Sequence, residues 1–93
     1  MALRICSYKL KLETKQNLVL PADAEIISVI NRYNDAYIYA IVDTEVKNPE
    51  TYSILCYSTG SEISSEERKA YTFLGSISTV GGDFVYHIFY KRG

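Results

Sequence analysis

The stretch Ala24-Glu25-Ile26-Ile27-Ser28-Val29-Ile30-Asn31-Arg32-Tyr33-Asn34-Asp35-Ala36-Tyr37-Ile38-Tyr39-Ala40-Ile41-Val42 decides how this chain is read. Two runs rich in β-branched and aromatic residues flank Asn34-Asp35, a pair with good turn chemistry. They read as a hairpin with strands over residues 24–32 and 37–42. Counting outward from an Asn34-Asp35 turn puts Ile27, Val29, Ile38, Ala40 and Val42 on one face, small and branched as a packed core requires. The other face collects Ile26, Ser28, Ile30, Arg32, Tyr37, Tyr39 and Ile41. Tyrosine and arginine are enriched at interface hot spots. This second face is therefore the candidate binding surface, carried by Arg32, Tyr37, Tyr39, Ser28 and Ile30. The competing reading covers both faces within the monomer, as in the middle strands of a barrel. A one-residue slip would exchange the two faces.

The same alternation continues on both sides. Residues 3–12 place Cys6, Tyr8, Leu10 and Leu12 on one face and Lys9 and Lys11 on the other. A short strand over 16–20 is stopped by Pro21, and Ala22-Asp23 makes a turn. Residues 44–50, with Asn48-Pro49, read as a loop, and 52–58 as a strand ended by Thr59-Gly60. Strands over 73–80 and 84–91 are joined by Gly81-Gly82, a two-residue hairpin signal because such turns need positive φ. That turn pairs Thr79 with Phe84, Ile77 with Tyr86, Gly75 with Ile88 and Phe73 with Tyr90. Phe73, Ile77, Phe84, Tyr86, Ile88 and Tyr90 then form a core face. The opposite face pairs Ser78 with Val85, Ser76 with His87 and Leu74 with Phe89. Ser64 and Glu67 have capping-box spacing, which predicts at most one helical turn near residues 64–70. The result is a single all-β domain over residues 1–93, about seven short antiparallel strands in a small sandwich or barrel. An α+β fold with a helix over 64–73 is the competitor, and its apolar spacing there is poor.

Composition excludes several function classes. Ten basic residues against eleven acidic ones leave no basic stripe for a nucleic-acid backbone. Lys9, Lys11 and Lys15 come nearest, and Glu13 interrupts them. No apolar run reaches the ~18 residues of a membrane span, and the N-terminal residues lack a signal-peptide core, which predicts a cytosolic protein with reduced thiols. Cys6, Cys56 and His87 give no metal-ligand spacing, so no metal and no cofactor is expected.

Catalytic constellations are also missing. His87 is the only histidine, and Ser76 is its predicted cross-strand neighbour, with no orienting carboxylate or oxyanion loop in view. His87, Ser76 and Tyr57 are kept as secondary binding candidates. Glu66 and Glu67 read as a solvated acidic turn. Ser58-Thr59-Gly60-Ser61 and Thr79-Val80-Gly81-Gly82 read as ordinary turns, since no Gly-Lys-Ser/Thr follows either. What remains is an excess of tyrosine, nine residues in 93 with no tryptophan. Its ring packs while its hydroxyl seeks a partner, which suits a contact surface. Tyr86, Tyr90 and Tyr8 are assigned to packing, and Tyr37 and Tyr39 to contact.

Several segments taken together resemble a known family. Gln16-Asn17-Leu18-Val19-Leu20-Pro21 followed by Ala24-Glu25-Ile26-Ile27-Ser28-Val29 resembles the opening of a family of small proteins encoded mainly in bacteriophage genomes. Ala40-Ile41-Val42-Asp43, Thr59-Gly60 with Ile63, Leu74-Gly75-Ser76, and Val85-Tyr86-His87-Ile88-Phe89 are similar to its later segments. Asp23 stands where that family usually has glycine, Ser61 where it has histidine, and Tyr39 where it has tryptophan. The family is uncharacterised, so the resemblance implies a source and no catalytic residues. It implies an accessory protein in the host cytoplasm, non-enzymatic, that inhibits a host component, in particular a defence system, by protein–protein contact. Two alternatives stand beside it: a homo-oligomeric sponge for a nucleotide-like ligand, and a minor virion protein. Self-association is expected on every binding reading, because apolar residues occupy both faces of the hairpin over 24–42.

Overall fold

Alternating burial along the strands builds two antiparallel sheets. The computed structural model describes residues 2–79, 82 and 84–93. In chain order these form β1 (Leu3–Leu10), β2 (Lys15–Pro21), β3 (Glu25–Arg32), β4 (Asp35–Asp43), β5 (Pro49–Ser58), α1 (Ser65–Ala70), β6 (Thr72–Ser78) and β7 (Val85–Arg92). One sheet has the order β1-β4-β3, the other β2-β5-β7-β6. Their inner faces meet in one core, and they remain two open sheets, a sandwich and not a closed barrel. Ala36, Ile38, Ala40 and Val42 of β4 share one buried cluster with Tyr52, Ile54 and Cys56 of β5, Ile77 and Ile88. Fully burying each Leu or Ile of this cluster stabilises by roughly 1.5–3 kcal/mol.

β5 differs from the other strands in being buried on both sides, over five consecutive residues from Tyr52 to Cys56. Its outer side is covered by the segment after it. The Ser64 hydroxyl accepts the Glu67 N–H at 3.1 Å and caps α1, as the spacing of these two residues predicts. The helix runs six residues, longer than a single turn. It delivers Tyr71, 7 % exposed, whose hydroxyl lies 2.6 Å from that of Ser53. Lys91 sits 5.1 Å from the Tyr71 ring centroid.

Several local readings need correction. The β3–β4 turn is Tyr33-Asn34, one residue earlier than Asn34-Asp35, because Arg32 pairs with Asp35. This keeps Val29 opposite Ile38 on the core side, since moving the turn by one residue shifts each partner by two. A bulge between Ile26 and Ser28 then reverses the faces. Ile26 enters the core and Ile27 is turned out, the opposite of the regular count. β6 carries the same device between Phe73 and Gly75. Phe73 consequently pairs with Phe89, not Tyr90, and is exposed, while Leu74 packs on the core. Phe84, the residue before β7, is also exposed and not part of the core.

From Ser78–Val85 to Gly75–Ile88 the last hairpin has the counted register, and the Thr79 N–H donates to the Phe84 carbonyl at 3.0 Å. Of the Gly81-Gly82 turn, Gly81 lies outside the described residues, while Gly82 has φ +72 and its N–H donates to the Thr79 carbonyl at 2.9 Å. β1 ends at Leu10, so Leu12 does not join its apolar face. Here the chain crosses between sheets, and the Gln16 amide pairs with the Lys11 backbone N–H and carbonyl. Pro21 and Pro49 are paired at the end of the β2–β5 ladder, so Pro49 and Glu50 belong to a strand and not to a loop.

Candidate functional site

β4 is the middle strand of its sheet, so its outward residues Tyr37, Tyr39 and Ile41 have neighbours on both sides. Lys9 and Ile30 flank Tyr37, Ser7 and Ser28 flank Tyr39, and Ile5 and Glu25 flank Ile41. The five candidate residues Arg32, Tyr37, Tyr39, Ser28 and Ile30 therefore share one surface, the outer face of the three-stranded sheet. The Arg32 guanidinium lies over the Tyr37 ring, 4.5 Å from its centroid. Such a contact, worth about 0.5–1 kcal/mol at an exposed site, holds both side chains in one orientation.

No described element covers this face. Leu3 is 61 % exposed, Ile5 68 %, Ile30 49 % and Ile27 41 %. Leu3 and Ile5 were not among the expected contact residues. Their alternation was legible, but the pairing of β1 beside β4, which brings them next to Ile41, was not. Ile27 joins the face only through the bulge. Ile26, expected here, has left it for the core. At the hairpin tip Tyr33 adopts φ +59 with 89 % of its surface exposed. A bulky residue in that conformation is uncommon, and its ring gains nothing from packing.

The secondary candidates also meet, on the outer face of the other sheet. Tyr57, His87 and Ser76 form one row across β5, β7 and β6. The Ser76 hydroxyl lies 2.8 Å from His87 Nδ1, as the register predicts, and the Thr59 hydroxyl lies 2.7 Å from Nε2. The Tyr57 hydroxyl donates to the Glu67 carboxylate at 2.8 Å. That hydrogen bond above all, with smaller contributions from burial and from neighbouring charge, holds the Tyr57 phenol above its ordinary pKa. Thr59 and Glu67 were not foreseen, because a turn and a helix bring them in from other parts of the chain.

The His87 ring is held between two hydroxyls, with no carboxylate among the described residues on either nitrogen. A Ser–His nucleophile pair needs a third group that orients the imidazole and stabilises its cation. Among the described residues the two outer faces each bring a set of candidate residues together, and His87 is hydrogen-bonded to hydroxyls alone. Among the described residues no group of three or more His, Cys, Asp or Glu is placed to hold a metal ion. Cys6 and Cys56 are free thiols. No described helix is long and apolar enough to cross a membrane.

No curated protein matches the chain, and no solved structure does. A family model described as a domain of unknown function matches residues 1–93. The chain therefore belongs to DUF7352, a domain of unknown function, over its whole length.

Proposed function

We propose that this chain is a non-enzymatic binding protein that docks a protein partner on the outer face of its β1-β4-β3 sheet. The observation that carries the reading is the uncovered apolar surface of Leu3, Ile5, Ile27 and Ile30 around Tyr37, Tyr39 and Arg32. Large contiguous apolar patches on a small domain mark interaction sites, and aromatic and arginine anchors are what such sites use. A protein suits this face better than a stacked nucleobase, because the Arg32 guanidinium already lies over the Tyr37 ring.

The resemblance to small phage-encoded proteins sets the class of partner. The reading is of an accessory protein acting in the host cytoplasm, which inhibits a host component, and within that class a defence component, by occupying it. In the free protein two copies cover the face for each other, and the target displaces the second copy.

The test compares the intact chain with two variants, Tyr37→Ser with Tyr39→Ser, and Ile5→Lys. Each is first shown to keep the wild-type melting curve. A host protein retained by the wild type and lost by both variants supports the assignment. A partner held equally by all three overturns it. Light scattering of the wild type at micromolar concentration tests self-association separately, and a monomer there refutes the two-copy state alone.

A further inference from the structure

Beside His87, on the opposite side of the molecule from the proposed docking face, lies an open cleft of about 200 Å³. Tyr57, Ile63 and Phe89 supply apolar walls, the turn at Gly60 forms its rim, Thr59 and His87 supply one polar end, and Ser58 and Ser61, their hydroxyls 3.1 Å apart, supply further polar lining. Among the described residues no carboxylate, lysine or arginine side chain lines it. Small-molecule sites usually enclose about 300–1,000 Å³. A volume below that range admits a single ring and not a whole dinucleotide. The uncharged lining offers nothing to neutralise a phosphate or a carboxylate.

The hydrogen bonds around His87 specify the polar partner. A neutral imidazole has one donor and one acceptor nitrogen. If Nδ1 carries the proton, it donates to Ser76, the Thr59 hydroxyl donates to Nε2, and the spare O–H belongs to Ser76. If Nε2 carries it, Nε2 donates to Thr59, the Ser76 hydroxyl donates to Nδ1, and the spare O–H belongs to Thr59. Of the two residues that bond the imidazole, Thr59 lines the cleft and Ser76 does not. An acceptor in the cleft therefore selects the second arrangement, in which two hydrogen bonds in series polarise the Thr59 O–H.

We propose that this cleft binds a small uncharged ring bearing a carbonyl oxygen, with the ring against Phe89 and Ile63 and the Thr59 hydroxyl donating to the carbonyl. His87 is a positioning residue. Its Nε2–H fixes Thr59, and Ser76 fixes the ring tautomer from the far side. The site is independent of the docking face, so its failure leaves that reading untouched.

NMR titration of the intact chain with benzamide, benzoate and toluene tests the proposal. His87 is the only histidine, so its ring signals are assigned without ambiguity. Benzamide is expected to bind saturably at about millimolar concentration, shifting the amides of Thr59, Gly60 and Phe89. It is also expected to move the imidazole nitrogens toward the Nε2–H tautomer. Benzoate should bind about tenfold more weakly, the cost of desolvating a charge that finds no partner. Thr59→Val should weaken benzamide by about tenfold without affecting toluene, and Thr59→Ser should restore it. If the valine variant does not fold, the tautomer shift in the wild type still decides. Absence of saturable benzamide shifts, an unmoved tautomer, or benzoate binding as well as benzamide would each overturn the assignment.

Discussion

Gly75 in β6 faces Val29 in β3 so closely that a Cβ on residue 75 would stand 2.9 Å from Val29 Cγ1. The two residues belong to different sheets, and each lies a short step beyond its strand's bulge. Glycine is required here by the spacing of the sheets, not by its backbone angles. Gly75→Ala is expected to destabilise by roughly 1–3 kcal/mol, the usual penalty for overpacking around a stiff β-branched neighbour. Adding Val29→Ala should recover part of the loss. Urea denaturation of the two single variants and the double variant measures the coupling, and strict additivity would contradict the contact.

Tyr33 pays for its left-handed backbone with no packing in return. Replacing it with glycine removes a penalty of about 1–2 kcal/mol and adds about 0.5–1 kcal/mol of unfolded-state entropy. Tyr33→Gly should therefore raise stability by about 0.5–1 kcal/mol, or roughly 2–8 °C in Tm for a domain of this size. Thermal melting checks this. A lower Tm would mean that the exposed ring contributes to the folded state.

Asp43 ties down the start of the chain. Its carboxylate accepts the Glu45 N–H at 3.0 Å and the Ala2 N–H at 3.3 Å, and these bonds, the Glu45 one foremost, hold its pKa below the usual carboxylate value. A pKa lowered by folding gives stability that is complete above the unfolded value of about 3.9 and is lost as pH falls through the folded one. Asp43→Asn should therefore show a shallower loss of stability than the wild type on acidification below about pH 5. Parallel chemical denaturation series over that range decide it, and superimposable acid limbs would rule out the contribution.

Burial pushes the Cys56 thiol up to about 11, whereas Cys6 is half-buried. Since the thiolate is the nucleophile, iodoacetamide at about pH 8 should modify Cys6 alone in the folded protein and both cysteines in urea. Mass spectrometry counts the additions. Equal labelling of both residues without denaturant would show that β5 opens locally.

Much of this was legible because strand period and turn chemistry act over a few residues. Ile38, Ala40 and Val42 alternate cleanly, and each is buried. Ser76 and His87 were paired by counting from a turn, and their side chains touch. Counting failed where a bulge intervened. Ile26 and Ile27 are chemically identical, and the bulge in the β3–β4 pairing sets which of them faces inward. Phe73 and Leu74 are both apolar, so their local pattern gave no sign that the smaller would be the one packed on the core.

An all-β chain of short antiparallel strands, a capped helical turn near Ser64, and a hairpin face bearing Arg32, Tyr37 and Tyr39 can all be read from the order of residues. Those properties follow from backbone sterics and side-chain alternation, which neighbouring residues settle among themselves. The folded chain adds what no short stretch shows: β1 lies beside β4 and brings Leu3 and Ile5 to that face, and Thr59 closes on His87. It also brings the sheets close enough at Gly75 to exclude a methyl group. Each of these joins residues far apart in the chain, and such pairings are selected by burying the largest apolar area, a quantity no local stretch contains.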